Sequence, residues 1–267
     1  MRGRVLIVAG SDSGGGAGIQ ADIKAVTALG GFAMTAITAL TAQNTLGVHG
    51  VVAIEPTFIA LQMAVVLDDL GADCVKTGML HDAAVISTVV DMLAAKAPSV
   101  PLVCDPVMIA KGGHPLLVES AVAALRQRLL PRAGLLTPNL PEAEVLLGRT
   151  IPDLPAMERA AEALRQLGPS AVLLKGGHGT GAEVVDVLAD GAGIHHFRSP
   201  RIDSRHTHGT GCTLASAIAV GLAQGMPLIR AVATARDYVL EAIRRAPGFG
   251  AGHGPLDHGH TMCRPAG

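Results

Sequence analysis

The sequence predicts an α/β fold with a mostly parallel central sheet, and three observations lead to this prediction. Short runs of aliphatic residues alternate along the 267-residue chain with longer segments of helical periodicity. The short runs lack the polar alternation of a half-exposed strand, as expected for a sheet that is covered on both faces. Helices between successive strands then make neighbouring strands parallel.

The first strand and the first helix are predicted from the spacing of their apolar residues and from the glycines that follow them. Residues 4–9 form a branched aliphatic run that ends at Gly10, which indicates a strand. Apolar residues recur at helical spacing over residues 17–29 and paired glycines follow, which indicates a helix. The same patterns predict strands at residues 32–40, 72–76, 101–104, 134–136 and 171–174. They predict helices at residues 56–70, 83–95, 118–130, 140–147 and 156–167.

The last third of the chain departs from this alternation. Two strand-like runs, residues 183–188 and 193–198, are joined by Ala-Asp-Gly-Ala and predict a small hairpin. Residues 210–224 and 228–245 are predicted to be two closing helices. No linker rich in Pro, Ser or charge divides the chain and no repeat occurs, so residues 1–267 are expected to form a single domain.

The composition argues against nucleic acid and membrane partners. The formal net charge is -1, the chain has no Trp and one Tyr, and no block of Lys and Arg with interleaved aromatic residues occurs. Two uncharged stretches, residues 25–54 and 206–229, are interrupted by polar residues and glycine, so neither is expected to span a membrane. The four cysteines stand apart in sequence, as in proteins with reduced thiols, and a cytoplasmic location is expected.

Ligands of open α/β sheets bind beyond the carboxyl ends of the strands, so the loops there are searched first. The loop at residues 10–18 is rich in glycine, but it lacks the final Gly-Lys-Ser/Thr of a Walker loop and the acidic residue of a dinucleotide fingerprint. It is interpreted either as a simple turn or as close backbone contact with a small ligand. A dinucleotide oxidoreductase is not expected.

Two carboxylates follow neighbouring predicted strands. Asp105 follows one strand directly, and Glu142 lies in the first turn of a helix that Asn139 is predicted to cap. Alone, Glu142 is explained as an acid that complements the helix dipole. Together, the two acids are candidate ligands for Mg²⁺, which is commonly held by one or two carboxylates plus phosphate oxygens.

Two lysines precede paired glycines, Lys111 and Lys175. A lysine beside flexible backbone suits phosphate, although an exposed lysine is commonly only solvated.

Residues 207–213 carry the strongest local signal, because glycines open an uncharged helix there. The N–H groups around Gly209 and Gly211 are predicted to converge on an anion and to cradle a transferring phosphoryl group. Cys212 lies in the same turn, where a thiolate is favoured, or it is an inert packing thiol. His208 is either a ligand contact or a polar packing residue.

The motifs form an ordered set that covers nearly the whole chain. They lie at residues 10–22, 38–44, 76–79, 105–113, 137–142, 175–178 and 208–212. Together they resemble the hydroxymethylpyrimidine/phosphomethylpyrimidine kinases of thiamine biosynthesis, a branch of the ribokinase superfamily. The resemblance implies a three-layer α/β/α ribokinase-like fold, ATP with Mg²⁺, and a homodimer. It also implies phosphorylation of 4-amino-5-hydroxymethyl-2-methylpyrimidine first to the monophosphate and then to the diphosphate.

The resemblance also implies roles for single residues around the substrate. Asp22 and Gln43 would hold the polar edge of the pyrimidine, Met79 and Val107 would pack near its ring, and Gly10 would contact the substrate. An amide such as Gln43 offers both a donor and an acceptor to an aminopyrimidine edge, as amides do to adenine.

A second group of residues would serve the nucleotide. Lys175, Asn139 and Thr210 would bind it, and Asp105 and Glu142 would hold the metal. Gly209, Gly211 and Cys212 would form the anion hole, with Lys175 beside them as a further catalytic residue.

Several alternatives stay open at this point. Sugar kinases of the superfamily have an Asp as general base where this chain has Cys212, so Cys212 either takes the proton of the substrate hydroxyl or only shapes the anion hole. Some pyridoxal kinases of this branch also have a cysteine there, so pyridoxal is the second candidate substrate. A non-catalytic pyrimidine-binding regulator would not need Lys175, Asp105 or Glu142. The sequence leaves open whether a monovalent cation is also required.

Overall fold

A computed structural model of the protein describes residues 2–108, 116, 121–179 and 181–262. Nine strands occur in this part of the chain, and they belong to one sheet. Their bounds are β1 Arg4–Asp12, β2 Phe32–Asn44, β3 Gly47–Ala53, β4 Cys74–Thr77, β5 Leu102–Cys104, β6 Leu135–Leu136, β7 Ala171–Leu174, β8 Glu183–Asp190 and β9 Gly193–Pro200.

The helices lie between the strands and at the end of the described chain. They are α1 Gly18–Ala28, α2 Pro56–Asp69, α3 Ala83–Lys96, α4 Ala121–Ala124, α5 Leu140–Leu147, α6 Leu154–Arg165, α7 Thr210–Ala223 and α8 Leu228–Arg244. A π-helical turn, Leu125–Leu129, and a 3₁₀ turn, Leu130–Arg132, follow α4. Within the described ranges, no helix has the length and apolar character needed to cross a membrane.

The strand order is β3-β2-β1-β4-β5-β6-β7-β8-β9. Six central strands are parallel, namely β2, β1, β4, β5, β6 and β7. At the two edges of the sheet, β3, β8 and β9 pair antiparallel with their neighbours. The chain runs outward from β1 to β2 and β3 and then returns to β4 on the other side of β1. This reversal opens a crevice at the carboxyl ends of β1 and β4, where ligands of such sheets bind.

Strand β1 shows how the sheet separates two apolar cores. Leu6 and Val8 point into one core, which α2, α3, α5 and α6 cover. Val5 and Ile7 point into the other core, which α1, α7 and α8 cover. Successive side chains of a strand alternate between faces, so a strand buried on both sides must be apolar throughout. The predicted three layers are therefore present.

The structure differs from the predicted elements in two main places and confirms the predicted hairpin. Strand β3 was not predicted, because it contains two glycines and is half exposed, with Val52 63% exposed. The helix predicted at residues 118–130 is α-helical only over Ala121–Ala124 before the π turn, and residues 118–120 lie outside the described ranges. The predicted hairpin is present as β8 and β9, and Asp190 Oδ1 accepts the N–H groups of Ala192 and Gly193 at its turn.

Candidate active site

A cavity of about 900 Å³ lies at the carboxyl ends of the parallel strands. Residues that follow β1, β4, β5, β6 and β7 line it, together with the start of α7. Twelve of the thirteen residues to which the resemblance gives a role contribute to its wall. They are Gly10, Gln43, Met79, Asp105, Val107, Asn139, Glu142, Lys175, Gly209, Thr210, Gly211 and Cys212.

Asp22 is the exception, and its expected contact with the pyrimidine is corrected here. Its side chain has no exposed surface and lies beneath the cavity wall. Both carboxylate oxygens accept hydrogen bonds from Lys76 Nζ at 2.9 Å, and Oδ1 also accepts from Ser216 Oγ at 2.7 Å. These partners occupy the carboxylate, so Asp22 ties α1, β4 and α7 together under the cavity.

Lys175 and Asp105 form an ion pair inside the cavity. Lys175 Nζ is 2.9 Å from Asp105 Oδ1, which also accepts a hydrogen bond from Thr137 Oγ1 at 3.1 Å. Burial alone would lower the pKa of Lys175, but the negative charges of Asp105 and Glu142 outweigh burial and raise it. Lys175 is therefore a cation at neutral pH, as phosphate binding requires.

Glu142 and Asn139 form a reciprocal cap at the start of α5, so the predicted cap is confirmed. Asn139 Oδ1 accepts the Glu142 N–H at 2.9 Å, and Glu142 Oε2 accepts the Asn139 N–H at 2.8 Å. Burial, together with the charge of Asp105, raises the pKa of Glu142 to about 7, although Lys175 opposes the shift. A cation beside Glu142 would restore its ionised form.

The first turn of α7 lies close to Lys175 and Asp105. A Cβ atom added to Gly211 would lie 3.3 Å from Lys175 Nζ and 3.7 Å from Asp105 Oδ2. Gly209 has φ +82, and a Cβ atom there would overlap the backbone oxygen of Gly16. Glycine thus allows the first turn of α7, whose N–H groups lack helical partners, to approach both the lysine and the glycine-rich loop.

Cys212 is a partly buried thiol at this helix start. Burial, together with the charges of Asp22 and Asp105, raises its pKa to about 12, although Lys76 and the Gly18 N–H oppose the shift. Of the two expectations for this side chain, the raised pKa favours a protonated thiol over a thiolate.

Two residues of the cavity wall, Asp12 and Lys76, were not singled out from the sequence. Both carry buried ion pairs, and their partners His208 and Asp22 are far away in sequence. Lys111 lies outside the described residues. Among the described residues, no group of three or more His, Cys, Asp or Glu side chains forms a metal centre.

The comparisons with known proteins agree with the geometry of the cavity. The family described as phosphomethylpyrimidine kinase matches residues 12–257. The hydroxymethylpyrimidine/phosphomethylpyrimidine kinase of Streptomyces coelicolor is 49% identical over 258 residues, which cover 97% of this chain and 95% of that protein. The thiamine biosynthesis bifunctional protein ThiED of Geobacter sulfurreducens is 54% identical over 96% of this chain. The match covers 52% of ThiED, so this chain spans about half the length of that relative.

Solved structures extend the similarity to the fold. A phosphomethylpyrimidine kinase from Clostridium difficile has a TM-score of 0.80 and 42% identity, over 90% of this chain and 99% of that one. The pyridoxal kinase of Bacillus subtilis, solved as an ADP complex, has a TM-score of 0.88 and 34% identity, over 97% and 98% of the two chains. The ribokinase-like fold that the motifs imply is confirmed, and the chain belongs to the phosphomethylpyrimidine kinase family.

Proposed function

We propose that the protein transfers the γ-phosphoryl group of ATP to 4-amino-5-hydroxymethyl-2-methylpyrimidine and then to the resulting monophosphate. The proposal rests on the residues that line the cavity. The Gln43 amide and the apolar side chains of Met79 and Val107 line the same cavity as Lys175, Asp105 and the α7 N-terminus. One end therefore suits an aminopyrimidine ring, and the other suits phosphate.

In the first step, the substrate hydroxyl oxygen bonds to the γ-phosphorus while the bond from that phosphorus to the β–γ bridging oxygen breaks. ADP leaves, and the hydroxyl proton passes to water. Such a reaction depends mainly on positioning and on neutralising charge. Lys175 would neutralise charge on the transferring group, and the N–H groups at Gly209 and Gly211 would hold its oxygens. Asn139 and Thr210 would contact the nucleotide from either side.

Cys212 belongs to the same anion hole in this proposal. Because burial raises its pKa to about 12, the resting side chain is a protonated thiol. A neutral thiol donates a weak hydrogen bond and is a very weak base for the hydroxyl proton. We therefore assign Cys212 to orienting the reacting oxygens.

The residues present fit a magnesium ion. Asp105 and Glu142 both line the cavity, and Mg²⁺ is usually held by one or two carboxylates with water and phosphate oxygens completing the shell. When bound, Mg²⁺ would neutralise phosphate charge during transfer.

Pyridoxal is the second candidate substrate, and one observation favours it. Pyridoxal kinases from Bacillus subtilis and Staphylococcus aureus share the fold with TM-scores of 0.88. Their sequence identities of 34% and 31% are lower than the 42% of the phosphomethylpyrimidine kinase structure. The pyrimidine therefore remains the main proposal.

A homodimer is also part of the proposal. Phe58, Leu61 and Val65 follow one face of α2 at spacings of three and four residues, and each is more than half exposed. An exposed apolar stripe of this kind suits a second copy of the chain. Changing Leu61 to Glu should convert a dimer to a monomer in sedimentation velocity, and an unchanged dimer would exclude this face.

We also propose a single domain and a cytoplasmic location. The nine strands of the described chain share one sheet, which supports a single domain. Cys74, Cys104 and Cys212 are free thiols, which supports the cytoplasm.

The decisive experiment measures ATP consumption by the purified protein in three parallel reactions. The substrates are hydroxymethylpyrimidine, its monophosphate and pyridoxal, each at the same concentrations. Turnover of both pyrimidines above that of pyridoxal would support the proposal. Turnover of pyridoxal alone would replace it with the second candidate.

A further inference from the structure

Asp186 is a buried carboxylate that lies between the backbone beside Lys175 and helix α8. Its Oδ1 atom accepts the N–H of Gly176 at 2.7 Å, and its Oδ2 atom accepts a hydrogen bond from Arg236 Nε at 2.8 Å. Asp186 is 6% exposed and Arg236 is 8% exposed, so both are largely shielded from water. Both line the cavity, yet neither takes part in the transfer as described so far.

The backbone of Lys175 is held from two sides. Strand β7 ends at Leu174, and the next two N–H groups donate to different neighbours. The Lys175 N–H donates to the carbonyl oxygen of Pro138 at 2.8 Å, on the side of β6. The Gly176 N–H donates to Asp186, on the side of β8. These two bonds flank the Cα atom of Lys175, so together they fix the point from which its side chain enters the cavity.

The Asp186 side chain extends the connection between β7 and β8 beyond the end of their ladder. Leu174 is the last residue of β7, and it pairs with Val187 of β8. Gly176 follows so close to β8 that a Cβ atom there would overlap the carbonyl oxygen of Val185. Glycine is therefore required at this position, and it brings the N–H within reach of the carboxylate.

Arg236 anchors the carboxylate on its other side. Its Nη2 atom donates to Ser199 Oγ at 3.2 Å, and its guanidinium lies 5.8 Å from the centre of the Phe197 ring. Both of these partners belong to β9. Asp186 is therefore bonded to a group that is itself held in place, and its own orientation is fixed.

A carboxylate is the side chain that satisfies both donors. Each oxygen of Asp186 accepts from one donor, Gly176 on one side and Arg236 on the other. An asparagine has one accepting oxygen and one donating NH₂ group, so one of the two donors would face another donor. The ion pair with Arg236 uses only one of the two oxygens. The second oxygen serves the backbone beside Lys175.

We infer that Asp186 is a positioning residue, which fixes the backbone on the carboxyl side of Lys175 and so places the Lys175 ammonium against the phosphates of ATP. This inference rests on the phosphoryl transfer proposed above, a reaction that depends mainly on where the charges lie. Two glycines follow Lys175, and their backbone has many allowed conformations. The bond to Asp186 removes that freedom at the first of them.

The first test changes the acceptor and keeps its volume. In Asp186→Asn, the calorimetric Kd for AMP-PCP, measured without the pyrimidine, should rise about tenfold, the usual effect of leaving a buried donor unmatched. The value of kcat should fall as well, because a displaced Lys175 neutralises less charge. The Kd values for adenosine and for hydroxymethylpyrimidine should stay at those of the wild type, since neither ligand carries a phosphate. Equal losses for AMP-PCP and adenosine would overturn the inference.

A second variant keeps α8 docked and removes only the acceptor. Asp186→Leu combined with Arg236→Met replaces a buried ion pair by apolar side chains, a change that proteins often tolerate. The Gly176 N–H then has no acceptor, and the same loss of affinity for AMP-PCP is expected. Binding of AMP-PCP as tight as in the wild type would mean that Asp186 only docks α8, and the inference would be wrong.

A matched control addresses general damage to the hairpin. Leu188 is fully buried, and it lies two residues from Asp186 on the same face of β8. Leu188→Ala should lower the stability of this strand without touching the bond to Gly176, so its Kd for AMP-PCP should match that of the wild type. A rise as large as that of Asp186→Asn would overturn the inference.

A double variant tests whether Asp186 acts through Lys175. Adding Asp186→Asn to Lys175→Met should raise the Kd for AMP-PCP no further than Lys175→Met alone, whereas additive losses would contradict the inference. A wild-type protein that binds neither AMP-PCP nor the pyrimidine would instead overturn the proposed function, before any variant is made.

Discussion

Lys76 Nζ lies 2.9 Å from both carboxylate oxygens of Asp22, and neither side chain has any exposed surface. The pair joins the central strand β4 to α1, and Ser216 extends it to α7. Burial alone would lower the pKa of Lys76, but the negative charges of Asp22 and Asp105 outweigh burial and raise it. Lys76 is thus a permanent cation in the floor of the cavity.

We predict that breaking this pair destabilises the protein strongly. Asp22→Ala would leave Lys76 charged and unpaired in the interior, which typically costs about 3 to 5 kcal/mol of the free energy of unfolding. Urea unfolding followed by circular dichroism measures this loss. The double change Asp22→Ala with Lys76→Met removes both charges and should cost less than Asp22→Ala alone. A loss below about 1 kcal/mol for Asp22→Ala would contradict the structural role of the pair.

Asp22 also shows where inference from the sequence stops. Aliphatic runs such as β1 and β4 are visible in the sequence because burial on both sheet faces requires them. The cavity follows from where those strands end. The partner of a buried acid is not visible, because Lys76 is 54 positions from Asp22 and only the packing of α1 on the sheet brings them together. Because the sequence does not reveal this partner, Asp22 was interpreted as a substrate contact.

The same limit applies to the edges of the sheet and to protonation. Strand β3 is half exposed, so the continuous apolar pattern that marks the central strands is absent there. The helix start at Cys212 is readable from its glycines, but the charge on the thiol depends on desolvation by the surrounding chain. The exposure of β3 and the charge of the Cys212 thiol both depend on tertiary structure, which the local sequence does not reveal.

The thiol of Cys212 gives a prediction on pH. Because burial raises its pKa to about 12, only a very small fraction is thiolate at neutral pH, and thiolate is the form that alkylating agents attack. Alkylation of Cys212 by iodoacetamide should be slower than that of a free cysteine at pH 7. Its rate should keep rising with pH beyond 9, as measured by mass spectrometry of the Cys212 peptide. A plateau near pH 7 would mean that the thiol ionises readily. The alkylated Cys212 peptide should be absent from the Cys212→Ser variant, which identifies its signal.

Glu142 gives a prediction on metal dependence. Changing Glu142 to Gln keeps the shape of the side chain and an oxygen that can accept the Asn139 N–H, but it removes a negative charge from the cavity. The Mg²⁺ concentration for half-maximal turnover should rise by about tenfold or more, by analogy with the loss on removing groups that support a metal. Initial rates at saturating ATP across a Mg²⁺ titration measure the change.

A matched control tests whether the loss of charge alone is responsible. Glu55→Gln removes one negative charge from an exposed residue before α2, and its Mg²⁺ titration should match that of the wild type. If Glu142→Gln behaves like Glu55→Gln, Glu142 is not a metal ligand.

The final prediction concerns two phosphorylations at one site. The second acceptor is itself a phosphate, so its oxyanion must approach the γ-phosphate of ATP near Lys175 and the α7 N-terminus. The Lys175 cation and the free N–H groups at Gly209 and Gly211 can offset that repulsion, whereas a neutral hydroxyl acceptor would not need them to the same degree. We therefore predict that the monophosphate is a substrate, and that Gln43→Ala weakens both steps by roughly 1 to 3 kcal/mol because the same amide holds the ring each time. Chromatography of the products shows both phosphates. If pyridoxal is phosphorylated under conditions in which the monophosphate yields no diphosphate, the cavity serves pyridoxal chemistry instead.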